Sequence, residues 1–408
     1  MTVAAGRQAL TPAFAALAIA LLLGLQPVTT DLYLPALPRL ARELQAPMAA
    51  TQLTMSLVLL AFGIGQLLLG PMSDRFGRRP VLLGGLALHA LASLGASLSP
   101  TIGVLIVFRA LQGVGLAAAV VCARAMVRDL YEPHEGAHVM AWALSGLGVI
   151  ALASPVLGGW LTAHVGWRAP LGAVAVVGGL SWLLVAWHLP ETIAARNPRA
   201  LAAGPLLRTM GTVLRHPGFR AWALLVSATY GGLFVLLAGS SFVYIGLLGL
   251  SPFGYGVAIA SASLSYLLGT FYCRHLLRRH GLAGAVRRGA AFTLAGGLGM
   301  AGLGLAGVQQ LAWVLLAHWL FAFGHGIHQP CGQTGAVGAF PRNAGVASAM
   351  AGFLLALVAF GVGLWLGRAL DGTLRPLGLG LGTCASATAL IAWTLVQRHG
   401  ERFEAVPA

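Results

Sequence analysis

From residue 12 to residue 397 the chain repeats one pattern: a run of about 20 mostly apolar residues, then a short polar break. About 20 helical residues cross the hydrocarbon of a bilayer. Inside it, only helices or closed barrels satisfy their own backbone. Twelve runs are counted. The first six lie near 12–34, 52–70, 81–98, 101–123, 138–160 and 169–188; the second six lie near 219–245, 253–273, 289–307, 311–331, 344–366 and 377–397. Only 9% of the 408 residues are charged and 58% are hydrophobic, whereas a soluble domain carries about 25% charge. The expected fold is an all-α membrane protein with 12 transmembrane helices in two pseudo-symmetric six-helix halves. The halves are residues 1–188 and 218–408. Residues 189–217 form a linker marked by Pro190, Asn197-Pro198, Gly204-Pro205, Pro217 and four arginines. The run at 10–30 has no A-x-A-like site after it, so it reads as a retained first helix.

All 25 basic residues are arginine, and the net charge is +15. They cluster at span ends, so the charge reads as topology and not as a nucleic-acid surface. With the N-terminus inside, nineteen arginines fall in cytoplasmic segments and five, Arg39, Arg42, Arg168, Arg368 and Arg375, outside; Arg109 lies within span 4. This predicts a multi-pass membrane protein with both termini cytoplasmic. Cys122, Cys273, Cys331 and Cys384 form no C-x-x-C pair, so neither a disulfide framework nor a zinc site is expected.

Between spans 2 and 3 lies Gly70-Pro71-Met72-Ser73-Asp74-Arg75-Phe76-Gly77-Arg78-Arg79-Pro80. Gly70 and Gly77 permit a tight backbone. The string resembles the loop 2–3 signature, G-x-x-x-D-R-x-G-R-R, of the major facilitator superfamily. The resemblance implies the major facilitator fold and a cytoplasmic latch of Gly70, Asp74, Arg75, Gly77, Arg78, Arg79 and Asp129. In it, Asp74 meets the N-terminus of span 11 near Ala344, supported by an Arg78–Asp129 pair. The alternative is that these arginines only set topology. A degenerate echo, with Arg274, Arg278, Arg279 and Gly281, lies between spans 8 and 9.

Asp31 is the only acid placed within a span, in Thr29-Thr30-Asp31-Leu32-Tyr33-Leu34-Pro35-Ala36-Leu37-Pro38. An ionised carboxylate there is costly without a proton or a partner, which marks a proton- or cation-binding candidate; the alternative is an interfacial acid wetted from outside. The D-x-Y-L-P-A-L-P string narrows the resemblance to the Bcr/CflA drug-exporter branch of the superfamily. Arg109 begins Arg109-Ala110-Leu111-Gln112-Gly113 in span 4. A guanidinium at that depth stays charged and must be paired or hydrogen-bonded. The string resembles the family's helix 4 motif, which implies proton coupling, and Asp31 and Arg109 are expected to face each other. A purely structural arginine is the alternative.

Span 5 carries Gly148, then Ser154, Pro155, Gly158 and Gly159. Small residues allow close helix approach and Pro155 kinks the span. The set resembles the family's antiporter motif, with Ser154 in place of a glycine; generic glycine packing is the alternative. In span 10, His325, His328 and Cys331 at i, i+3, i+6 are expected to share roughly one face, as cavity lining, a proton carrier or a metal site. With no carboxylate beside them, no metal is expected. Candidate substrate contacts are Tyr33, Met55, Phe62, Gln66, Gln112, Phe234, Tyr244, Tyr266 and His325.

The expected function is a proton-coupled multidrug efflux antiporter. It exports small amphiphilic antibiotics by alternating access, as a monomer in the lipid bilayer, with no cofactor. The alternative is a sugar or nucleoside transporter on the same fold. An intramembrane enzyme would need a nucleophile–base pair or a metal cluster; only span 10 comes near, and no acid accompanies it.

Overall fold

The computed structural model describes residues 11–400; Arg7 and Arg402, counted in the topology above, lie outside them. Every long element is a helix, and no strand occurs among the described residues. Span 1 begins at Pro12, with the Thr11 hydroxyl accepting from the Phe14 N–H, and its regular helix ends at Thr30. The break has a local cause. Pro35 has no N–H to give the Asp31 carbonyl, which instead accepts from Leu34 at 3.3 Å. A 3₁₀ turn Leu34–Ala36 and a short helix Leu37–Glu43 complete the crossing.

Spans 2 to 6 are Met48–Phe76, Arg78–Ser97, Ile102–Leu130, Pro133–His164 and Arg168–His188. Span 7, Pro217–Ser241, runs into a π-helical turn Phe242–Leu247. Spans 8 and 9 share one hydrogen-bonded run, Pro252–Ala306, which bends at Gly281, where φ is +65°. Spans 10 to 12 are Leu311–Gly338, Ala344–Ala369 and Arg375–Trp393. Among the described residues, eleven helices are long and apolar enough to cross a membrane; the bend at Gly281 divides one of them into two spans. The linker holds a helix not foreseen from its composition, Ala203–Arg215, with Val213 buried and Arg208 and Arg215 exposed.

The two halves meet along span 2 against span 11 and span 5 against span 8. The first seam is tight because its contact positions are small. A Cβ added to Gly367 would lie 2.8 Å from the Ala49 backbone, and one on Gly63 would lie 2.5 Å from the Ala356 side chain. Gln52 ties the halves with a 2.8 Å hydrogen bond to the Ala238 carbonyl. At the other end of these helices, which carries the 70–80 turn, the linker and the start of span 11, the halves separate. There they enclose an open cavity of about 1130 Å³ that begins at Gln66. The molecule is therefore closed at one end and open at its arginine-rich end.

Candidate functional site

The 70–80 turn is built around Arg78. Gly77 has φ of +110°, a conformation that disfavours any side chain, and a Cβ there would strike the Glu191 carboxylate. That carboxylate accepts from the Arg78 and Arg79 amides at 2.9 and 3.3 Å, capping the start of span 3. The Arg78 guanidinium donates to Asp129 at 3.0 Å, to the Ser73 hydroxyl at 2.7 Å, and to Asp74. Thr192 also donates to Asp129, at 3.1 Å. Arg79 reaches the Ala186 carbonyl at 2.7 Å, and Arg75 lies over the Phe76 ring. Gly70, Asp74 and Arg78 line the open cavity, as do Ala344 and Gly345. Asp74 is held by Arg78, with 45% of its side chain exposed. Its expected contact with the start of span 11 is not made in this open arrangement.

Arg109 is fully buried. Its Nε donates to the Thr54 carbonyl at 3.0 Å, and its Nη1 to the Thr29 carbonyl at 3.1 Å and Gln112 Oε1 at 2.6 Å. Met55 Sδ lies 3.5 Å from Nη2, and the Tyr33 ring covers the guanidinium at 4.5 Å. Gln112 passes the network to Ser93 at 2.6 Å, and Ser93 to the His89 carbonyl. His89 meets the Thr29 hydroxyl at 3.0 Å, and Tyr33 meets Thr54 at 3.0 Å. The Thr29 carbonyl lies where span 1 stops being regular, so it lacks its usual acceptance from the fourth residue on. Arg109 fills that vacancy and stitches span 1 to spans 2 and 4.

The expected Asp31–Arg109 pair is thus not formed. Arg109 has no ion pair; the three salt bridges among the described residues are Arg39–Glu43, Arg78–Asp74 and Arg78–Asp129. The helix break turns Asp31 away from Arg109 and toward the second half. The Asp31 carboxylate accepts from Thr30 at 2.7 Å, is half-buried, and lies near enough to Tyr230 of span 7 and Tyr255 of span 8 for its charge to act on both.

Span 5 holds this break against the second half. A Cβ on Gly158 would fall 2.0 Å from the Leu32 carbonyl, directly after Asp31. Next along the helix, a Cβ on Gly159 would fall 2.3 Å from the Pro252 carbonyl of span 8. Gly256 faces the Pro155 carbonyl just as closely, and Ser154 bonds back to the Ile150 carbonyl at 2.7 Å. Gly148, toward the open end, has only Leu267, at 3.8 Å.

The substrate candidates divide. Tyr33, Met55 and Gln112 belong to the Arg109 cage. Phe62 and Phe234 are buried in the packing, and Tyr244 bonds His318 at 2.9 Å. Gln66 alone of the set lines the open cavity, pressed against Gly352. His325 bonds Thr229 at 3.0 Å and stacks near Tyr266, Phe321 and Tyr230. The shared face expected in span 10 does not hold. His325 faces spans 7 and 8, His328 faces Gly289 of span 9, and Cys331 Sγ lies 3.4 Å from Cys273 Sγ of span 8. No group of three metal-ligand side chains occurs among the described residues.

Sequence reasoning missed Glu191, Thr192, Tyr230 and Tyr255. Glu191 offered a faint signal, as an acid directly after a span in Pro190-Glu191-Thr192; the tyrosines offered none.

A family model described as Major Facilitator Superfamily matches residues 17–364. The chain is 31% identical to the multidrug resistance protein D of Escherichia coli, over 83% of this chain and 84% of that one. It is 30% identical to a chloramphenicol resistance protein of Pseudomonas aeruginosa, over 78% and 75%. Among solved structures, a bacterial homologue of the human lysosomal transporter Spinster, inward-facing and occupied, superposes with a TM-score of 0.73. It covers 97% of this chain and 99% of that one at 14% identity, a likeness of fold alone.

Proposed function

The chain belongs to the Major Facilitator Superfamily, and from that premise we propose that it exports small amphiphilic antibiotics in exchange for protons. The observation that carries the proposal is Asp31, a single carboxylate at a helix break on the boundary between the two halves. The names of the two relatives, a multidrug and a chloramphenicol resistance protein, support the substrate class. The protein acts as a transporter and not as an enzyme. It works as a monomer in a bacterial inner membrane, its arginine-rich end and both termini facing the cytoplasm.

In the cycle, drug enters the open cavity from the cytoplasmic side and Asp31 gives up its proton as it binds. The halves then rock about the span 2–span 11 and span 5–span 8 seams, closing the arginine-rich end and opening the other. Asp74 leaves Arg78 and caps the positive start of span 11, which latches the closed end. Drug leaves, Asp31 takes a proton from outside, and the carrier returns. One proton moving down 100 mV supplies about 2.3 kcal/mol, or roughly 50-fold accumulation. That is enough to lower the internal level of an antibiotic.

The test is transport into everted vesicles under an imposed pH gradient, run over a panel of antibiotics, sugars and nucleosides. Wild-type protein is expected to move amphiphilic antibiotics only when the gradient is present. Sugar or nucleoside transport with no antibiotic transport would overturn the substrate class. Antibiotic transport indifferent to the gradient would overturn the coupling.

A further inference from the structure

Among the described residues, two cations on the wall of the open cavity have no ion pair. Arg124 and Arg128 stand one turn apart on span 4, and both line the cavity. Arg124 is half-buried and Arg128 exposed. Among the described residues, neither forms an ion pair or a hydrogen bond. The nearby acids are engaged elsewhere: Asp74 and Asp129 both bind Arg78, and Glu191 caps the start of span 3. Glu132, also on the cavity wall, pairs with neither arginine.

The second half brings no relief. Asp371 is the only acid among its described residues, and it follows the far end of span 11. What the second half does bring to this cavity is the start of span 11, where Asn343 makes no side-chain cap. That helix start, without a side-chain cap, carries partial positive charge. Narrowing the cavity moves this positive end toward two guanidiniums at reduced dielectric, where like charges repel more strongly than in water. Arg78, which binds Asp129 directly after Arg128, shows the opposite treatment, with two carboxylates and a hydroxyl around one guanidinium.

We propose that Arg124 and Arg128 form a binding site for an oxyanion, a phosphate or carboxylate group that neutralises the pair and bridges it to the start of span 11 as the cavity narrows. The planar guanidinium fork suits such groups, since it gives two parallel hydrogen bonds to two oxygens. The headgroup of an anionic phospholipid and a free oxyanion share this chemistry. The site is separate from Asp31, and its oxyanion shares the start of span 11 with Asp74 when the cavity is narrow. Binding is read without transport, so failure of either idea leaves the other standing.

The test uses the full chain, purified in a zwitterionic detergent. Its probe is a fluorescent short-chain phosphatidylglycerol, followed by anisotropy, with the phosphatidylcholine analogue as reference. Saturable binding of the anionic lipid over the zwitterionic one is expected, weakening as salt is raised. Arg124→Gln and Arg128→Gln should each weaken it about tenfold, whereas Arg220→Gln, an exposed arginine outside the cavity, should leave it unchanged. Displacement by millimolar inorganic phosphate assigns the site to free oxyanions; resistance to phosphate assigns it to the lipid headgroup. If the glutamine variants fold poorly, Arg124→Lys and Arg128→Lys keep the charge but lose the fork, and should weaken binding severalfold. Equal binding of both lipids with no binding of phosphate by calorimetry, or binding that survives the double variant, overturns the proposal.

Discussion

Arg78 and Arg109 answer the same problem, a guanidinium taken out of water, in opposite ways. Arg78 sits at the end of the helix bundle among acids, with Asp74, Asp129 and Ser73 on its side chain and Glu191 on its amide. Arg109 sits inside the first half with no acid at all. Its acceptors are two carbonyls, an amide oxygen and a sulfur, and an aromatic ring covers its face. The difference separates a switch from a fixture. Asp74 is partly exposed, and in the proposed cycle it exchanges Arg78 for the start of span 11 as the halves move. The partners of Arg109 are backbone and buried side chains within one half, so rocking does not change them. Arg109 therefore holds the span 1 break in place, and the proposed cycle leaves the varying charge to Asp31.

Substitutions can break this contrast. The largest effect is expected at the fixture. Arg109→Ala strands the Thr29 and Thr54 carbonyls and Gln112, at a cost of about 3–5 kcal/mol, seen as loss of folded protein after detergent extraction. Arg109→Lys should rescue little, because a single ammonium cannot reach acceptors spread across three spans; full rescue by lysine would show that charge alone matters there. Second is the seam beside Asp31. Gly256→Val places a side chain against the Pro155 carbonyl and should cost about 1–3 kcal/mol. It should also raise the accessibility of an engineered cysteine at Asp31 to a membrane-impermeant maleimide, and unchanged labelling would mean that the seam is loose. Third, Arg78→Gln should cost about 1–2 kcal/mol, because Asp74 is partly hydrated while Ser73 is buried; thermal unfolding in detergent measures it. Smallest in stability is Asp74→Asn. It should leave the unfolding temperature nearly unchanged while shifting spin-label distances across the cavity mouth toward the open state, and an unshifted distance distribution would remove Asp74 from the latch.

The spans were legible because apolar length is a property of sequence alone, and the 70–80 turn because its glycines and charges are local. The break near Asp31 could be read from Pro35 and Pro38, which withhold N–H groups wherever they fall. The environment of Arg109 could not be read. Its acceptors are mainly carbonyls, which every residue carries, so nothing in the sequence distinguishes Thr29 or Thr54 as partners. Expecting Asp31 to pair with it followed opposite charge and ignored which way the broken helix turns its side chain. Glu191 was hidden by distance along the chain, 113 residues from the Arg78 amide that it caps. The span 10 residues spread over about 120° of helix arc, wide enough for His325, His328 and Cys331 to meet different neighbours.

The central claim is that Asp31, acting without Arg109 as its ion-pair partner, carries the exchanged proton. Proton release on addition of an antibiotic that the vesicle assay shows to be transported, to the purified protein in weakly buffered detergent, tests it most directly. Wild-type protein should release protons in a saturable way and Asp31→Asn none, with both proteins folded. Release of the same size from Asp31→Asn would place the exchanged proton elsewhere and contradict the account.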